Sequence, residues 1–321
     1  MSEQRSILFD CDPGVDDAMA MLFHTGSGGR FTAIGSVHGN VPAPLGAANA
    51  LRILDVAGVE DVPVAVGAHR PMAQPLSTAE FVHGDDGLGN TYPPESSRRL
   101  ESISAAQQIV EAVHRQPGEL TLVAVGPLTN LGLALLMDPE LPGLVNDVVI
   151  MGGNVQLPGN ATPYAEANIW HDPEAAALVT EADWPVTFAT LDATMQTVLQ
   201  PRHLEALAGS DTASGQFVWA ILQHYLDFYE ANLGVRSCPL HDPLAIGLAL
   251  YPDLATYRTL PTRLELRGEL TRGSMVCDLR AQAETAHDEA GNAGALPFWP
   301  VRYVDELDVE RFQALFVESL T

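Results

Sequence analysis

The chain has 321 residues, of which 41 are acidic and 16 basic, for a formal charge of -25. Every basic residue is an arginine, and the absence of lysine excludes Schiff-base and pyridoxal chemistry, a P-loop, and the lysine that steadies an aspartyl-phosphate. A surface this negative repels phosphate backbones and anionic lipid, so neither nucleic acid nor membrane is expected as a partner. The three cysteines, Cys11, Cys238 and Cys277, form no CxxC pair. Together with a first segment that lacks a signal-peptide layout, they point to a reducing, cytoplasmic setting.

Short apolar runs alternate with helical patterns from the start of the chain. Strands are predicted at Ser6–Phe9, Phe31–Val37, Val62–Val66, Leu120–Val125, Val145–Met151 and Val186–Leu191, none with a clear in/out alternation. Strands buried on both faces read this way. Helices are predicted between them, at Asp16–His24, Leu45–Ala57, Ser104–Arg115, Thr129–Met137 and Pro173–Ala182. The β-α-β-α order predicts an α/β protein with an open, mainly parallel sheet flanked by helices. The second half adds a long aromatic-bearing helix at Ser214–Leu233, a helix at Asp242–Leu250, a hairpin of Arg263–Arg267 with Met275–Arg280, and a closing helix at Val309–Leu320. No linker divides the chain, so one domain over residues 1–321 is expected. The long loops Gly67–Ser102 and Gly152–Trp170 are expected to be functional.

Ligands of open parallel sheets bind beyond the carboxyl ends of the strands, so the residues after each apolar run carry the chemistry. The first run ends in Asp10-Cys11-Asp12-Pro13-Gly14-Val15-Asp16-Asp17, four aspartates within eight positions. Two carboxylates ~5 Å apart repel by roughly 3 kcal/mol at an effective dielectric of ~20. Such a cluster at a buried strand end calls for a cation, and all-oxygen ligation selects a hard ion such as Ca²⁺ or Mg²⁺. Asp16 and Asp17 also fall where a helix N-terminus takes acidic caps. An EF-hand does not fit, because the loop's sixth and twelfth positions are Val15 and Met21.

Further along, His38-Gly39-Asn40 follows the second strand, either as a turn or as a hydroxyl-binding amide. Val125-Gly126-Pro127-Leu128-Thr129-Asn130 follows the fourth, where the Val125 carbonyl could face a cation. Met151-Gly152-Gly153-Asn154 and then Asn160 to Asn168, with Glu166, supply amides and a carboxylate suited to a polyhydroxylated ligand such as a sugar. His241-Asp242-Pro243 opens a helix, with Asp242 a cap or a metal ligand and His241 a proton donor.

These motifs, in this order from residue 6 to Asp308-Val309-Glu310-Arg311-Phe312, resemble the inosine-uridine preferring nucleoside hydrolases. The resemblance implies hydrolysis of the N-glycosidic bond of purine or pyrimidine ribonucleosides, with Ca²⁺ and no organic cofactor. It implies that Asp12, Asp17, the Val125 carbonyl and Asp242 hold the ion, and that Asp12 also serves as general base toward the attacking water. It further assigns Asp16, Asn40 and Asn168 to the ribose hydroxyls near C2′ and C3′, and Asn160 and Glu166 to the 5′-hydroxyl side. Asp10 would orient the loop, His241 would protonate the departing base, and His83 would line the base pocket. An oxocarbenium-like transition state attacked by one water implies inversion at C1′. Tyr225 and Tyr229 fit core packing at i,i+4 spacing as well as a pocket role. A homodimer or homotetramer is implied in the same way. The chain departs from the family pattern at Ala167, where relatives carry a base-contacting phenylalanine, at His38, and at Val125 in place of threonine.

Two rivals stand beside this reading. A haloacid-dehalogenase-type phosphotransferase also carries Asp-x-Asp after its first strand, but needs a lysine that this chain lacks. A non-catalytic calcium- and ribose-binding protein would keep the same pocket without turnover; the presence of both Asp12 and His241 argues against it.

Overall fold

A computed structural model describes residues 6–280 and 297–321. Its centre is a nine-stranded sheet in the order β3-β2-β1-β4-β5-β6-β9-β7-β8. The strands are β1 (Ser6–Cys11), β2 (Phe31–Ser36), β3 (Val64–Val66), β4 (Leu120–Ala124), β5 (Asp147–Met151), β6 (Val186–Ala189), β7 (Ala255–Leu264), β8 (Met275–Cys277) and β9 (Trp299–Leu307). From β3 to β9 all neighbours run parallel, while β7 is antiparallel to both β9 and β8. The mainly parallel sheet flanked by helices is the predicted fold class.

The central strands are mostly apolar because both of their faces are covered. On β1, Ile7, Phe9 and Cys11 join one core, and Leu8 joins the other. The first core is completed by α1 (Val15–Gly26), α2 (Ala43–Val56), α10 (Ala213–Leu233), α11 (His241–Leu250) and α12 (Val309–Leu320); the second by α4 (Ala105–Arg115), α5 (Thr129–Met137) and α7 (Pro173–Glu181). Side-chain oxygens cap several of these helices: Ser104 accepts from the Gln107 N–H, Asp172 from Ala175, Thr212 from Gly215 and Asp308 from Arg311.

Within the sheet, two parts differ from expectation. The hairpin pairs Thr262 to Leu264 with Met275 to Cys277, but its first strand begins at Ala255 and reaches only Leu264. The sequence reading also passes over β9, whose run is broken by Pro300, Arg302, Asp305 and Glu306. Its inward positions Val301 and Tyr303 are fully buried, and they fit it between β6 and β7.

Strand order reverses between β1 and β4: β2 and β3 follow on one side, β5 and β6 on the other. The crevice beyond the carboxyl ends of strands at such a reversal is where open α/β sheets bind ligands. Asp12 lies one residue beyond β1 and Val125 one residue beyond β4.

Candidate active site

Asp12 is buried, and its carboxylate is seated between two glycines. A Cβ on Gly39 would come within 2.0 Å of its Oδ2, and one on Gly126 within 2.7 Å of its Oδ1. The Asn40 N–H donates to Oδ2 at 2.7 Å, while Oδ1 is buried without a hydrogen-bond partner. Asp17, at the start of α1, accepts from the N–H groups of Asp12 (3.0 Å) and Gly14 (2.9 Å) and from the Asn40 amide (3.0 Å). It is therefore a capping residue that also faces the crevice. Oxygens of Asp16, Asp17 and Asp242, all buried, lie within 4.8 Å of one another. Asp12 stands outside this tightest group. Behind the cluster, Asp10 accepts from the Asn130 side-chain amide at 2.8 Å, and that amide also donates to the Ser36 carbonyl.

Burial drives the carboxyls of Asp12 and Asp242 well above the usual range, and raises those of Asp10 and Asp17 to about 7. Mutual repulsion adds to the shift at Asp12, Asp17 and Asp242. Among the described residues no arginine forms an ion pair with Asp10, Asp12, Asp16, Asp17 or Asp242. A nest of oxygen donors, carrying buried unpartnered oxygens on Asp12 and Asp16 and no protein cation, fits a hard divalent ion.

The amides converge on the same crevice. The Asn168 side chain donates to the Val125 carbonyl at 2.7 Å and to the Met151 carbonyl at 3.1 Å, tying together the ends of β4 and β5. Glu166 is buried and accepts from the N–H groups of Gly153, Asn168 and Ile169, at 2.8, 2.9 and 3.1 Å. It caps the short helix α6 (Ala167–His171) and anchors the loop after β5, and burial lifts its pKa to about 7. Asn160 is exposed, its oxygen accepting from the Ala167 N–H at 2.9 Å.

Four side chains of uncertain placement in the sequence have definite partners. The His83 Nδ1 accepts from the Val15 N–H at 3.2 Å and lies 3.7 Å from Asp16. The Tyr225 hydroxyl donates to Asp16 at 3.2 Å, so this buried ring serves both core and site. Tyr229 meets the His241 Nε2 at 3.0 Å, while the His241 Nδ1 meets the Thr194 hydroxyl at 2.8 Å. Burial lowers the His241 pKa to about 4. The His38 ring lies 6.5 Å from that of His171, and its Nε2 bonds the Thr129 hydroxyl at 2.9 Å, which donates to Asp172 at 2.7 Å. That chain links the end of β2 to the starts of α5 and α7.

Beside His241 opens a cavity of about 440 Å³, lined mostly by apolar groups that include Phe81, Val82, Trp170, Met195 and Phe228. Tyr229, Asn160, Ala167 and His171 also line it. Both long loops contribute to this wall, as their length predicts. Thr194 and His171 are not singled out by the sequence: Thr194 bonds His241, 47 positions away, and the only side-chain hydrogen bond of His171 among the described residues is to the nearby Ala167 carbonyl.

A buried oxygen-rich nest that can hold a cation, beside an apolar cavity with a histidine and a tyrosine at its edge, fits the class of metal-assisted enzymes acting on a small molecule with one polar and one apolar part. The sequence profile of the inosine-uridine preferring nucleoside hydrolases matches residues 7–314. The inosine-uridine preferring nucleoside hydrolase of Crithidia fasciculata is 34% identical over 320 residues, covering 98% of this chain and 97% of that protein. The pyrimidine-specific ribonucleoside hydrolase RihA of Shewanella woodyi is 36% identical, covering 85% of this chain and 88% of its own. Among solved structures, a plant nucleoside hydrolase superposes with a TM-score of 0.92 at 35% identity, covering 99% of both chains. The chain belongs to the inosine-uridine preferring nucleoside hydrolase family and is a hydrolase of the N-glycosidic bond of ribonucleosides. The family is metal-dependent, and the aspartate cluster is a group that can hold the metal.

Proposed function

We propose that this chain cleaves ribonucleosides to base and ribose with Ca²⁺ held by Asp12, Asp17, the Val125 carbonyl and Asp242. The observation that carries the proposal is the unneutralised oxygen nest at the β1/β4 crevice, with its unpartnered Asp12 and Asp16 oxygens. An ion held by these residues would supply a positive centre for a water and the sugar's vicinal hydroxyls.

Asp12 is the general base. Its Oδ1 has no hydrogen-bond partner among the described residues and is free to take a proton, while the Asn40 N–H and the two glycines fix its orientation. Asp16, Asn40 and Asn168 bind the 2′- and 3′-hydroxyl side. Asn160 and Glu166 hold the 5′ side, Glu166 through the loop that it anchors. Acceptor oxygens around the ring suit the positive charge that develops on the sugar. His241 and Tyr229 both line the cavity and share a hydrogen bond, so His241 assists the departing base through the Tyr229 phenol. His83 braces Val15 and Asp16 and acts through them, since it is not among the residues that line the cavity.

The chain acts as one domain on a neutral small molecule, as a homodimer or homotetramer, in the cytoplasm. Three cysteines without disulfides support the reducing compartment, and sedimentation velocity reads the assembly. Calcium titration by calorimetry tests the metal assignment: one ion per chain is expected, with loss of at least tenfold in affinity in Asp242→Asn. Unchanged affinity in that variant would contradict it.

A further inference from the structure

We infer that His171 is a specificity-determining residue, reading an N–H group on the edge of the nucleobase as a neutral hydrogen-bond acceptor. The inference rests on the reading that the cavity beside His241 takes the base.

The tautomer follows from geometry. The His171 Nδ1 lies 2.7 Å from the Ala167 carbonyl, and a carbonyl can only accept, so Nδ1 carries the hydrogen. The ring is buried to 7% exposure, which holds its pKa below the ordinary histidine value and keeps it neutral. Nε2 is then a lone-pair acceptor, and among the described residues it has no hydrogen-bond partner. Unlike the buried unpartnered nitrogens of His24 and His38, it is not sealed from solvent, and His171 lines the cavity.

The ring is also held in place. The Trp170 indole lies edge-on to it at 5.2 Å, and the Gln74 side-chain amide donates to the carbonyls of both Trp170 and His171, at 2.8 and 2.9 Å. Arg272 in turn donates to the Gln74 oxygen. The next residue, Asp172, is fixed by the Thr129 hydroxyl and by the Met72 and Ala175 N–H groups. Among the other polar groups of the cavity wall, Ser77 is exposed and Thr78 half-buried, so neither is a fixed buried acceptor. Both nitrogens of His241 meet hydroxyls, the Asn160 oxygen is taken by the Ala167 N–H, and Asn232 is exposed. A fixed acceptor in an apolar wall discriminates strongly, because a ligand lacking the donor leaves it unpaired.

The test pairs substrate and residue. Values of kcat/KM are measured for uridine with 3-methyluridine, for inosine with 1-methylinosine, and for p-nitrophenyl riboside, in the wild type and in His171→Phe. Wild type is expected to lose about 10- to 100-fold on methylation of its preferred base. His171→Phe is expected to lose a similar factor on that parent nucleoside, to show about threefold or less further loss on methylation, and to keep p-nitrophenyl riboside within about threefold. Equal turnover of methylated and parent nucleosides by the wild type would overturn the inference, and needs no variant. So would a methylation penalty that persists in His171→Phe, or an equal loss on p-nitrophenyl riboside, which would mark a structural role. A wild type that turns over no nucleoside would instead count against the proposed function.

Discussion

Asp12 shows how little room the site leaves. Its two oxygens face Gly39 and Gly126 at distances no Cβ could tolerate, so those glycines exist for the carboxylate and not for the turn alone. Gly39→Ala should lower kcat by about 100-fold while the far-ultraviolet spectrum and melting point stay close to wild type, since a displacement of ~1 Å at the reacting centre costs that much. The aspartate cluster was legible because four carboxylates at a strand end cannot be explained by capping alone. What was not legible is how the roles divide. Asp17 turns out to be both cap and cluster member, and Glu166 spends both oxygens on three backbone N–H groups. Such sharing depends on backbone that arrives from elsewhere in the fold, and no local pattern encodes it.

Among elements, the short helix α8 (Leu191–Thr194) and α11 act as a pair: Thr194 ends the first and holds the imidazole that begins the second. Thr194→Val should therefore cut kcat on nucleosides by about tenfold through loss of one hydrogen bond to the ring, and spare p-nitrophenyl riboside, whose leaving group needs no proton. Equal losses on both substrates would show that Thr194 supports the fold and not the acid. The central strands and major helices could be read from the chain because burial on both faces makes the strands mostly apolar, and helix starts carry Ser, Asp or Thr caps. Among the elements that escaped, α6 and α8 are short and β9 carries charges and proline; tertiary contacts hold them, as where Arg302 on β9 donates to Asp147 on β5 at 3.0 Å. His38, whose sequence reading was a turn residue or a departure from the family, acquires its meaning only from Thr129 and Asp172, 91 and 134 positions away.

For the whole molecule, titration of buried histidine sets one limit on stability. His24 is fully buried against Phe31, with ring centroids 4.3 Å apart, and burial lowers its pKa from 6.5 to about 4. The unfolded chain therefore binds the proton first: His24 leaves stability untouched above pH ~6.5 and withdraws it progressively down to about pH 4, by up to ~3 kcal/mol. His24→Phe should flatten the acid limb of the stability curve over that window, as read by urea unfolding at pH 7 and pH 5; parallel losses in both proteins would show that His24 does not titrate on unfolding.

The charge of -25 divides in the same way. Some acids outside the crevice meet arginines, as Glu174 meets Arg272 at 2.7 Å and Asp253 meets Arg311 at 2.8 Å, while among the described residues the aspartates of the crevice meet none. That unbalanced charge is what makes the metal central, and the release of ribose tests it most directly. The purified protein, stripped with EDTA, is incubated with inosine, uridine, cytidine and guanosine, and free ribose is measured before and after Ca²⁺ or Mg²⁺ is returned. The account predicts that ribose release is lost by at least 100-fold on stripping and restored by Ca²⁺; undiminished release from the metal-free protein, or none from any nucleoside with Ca²⁺ present, would contradict it.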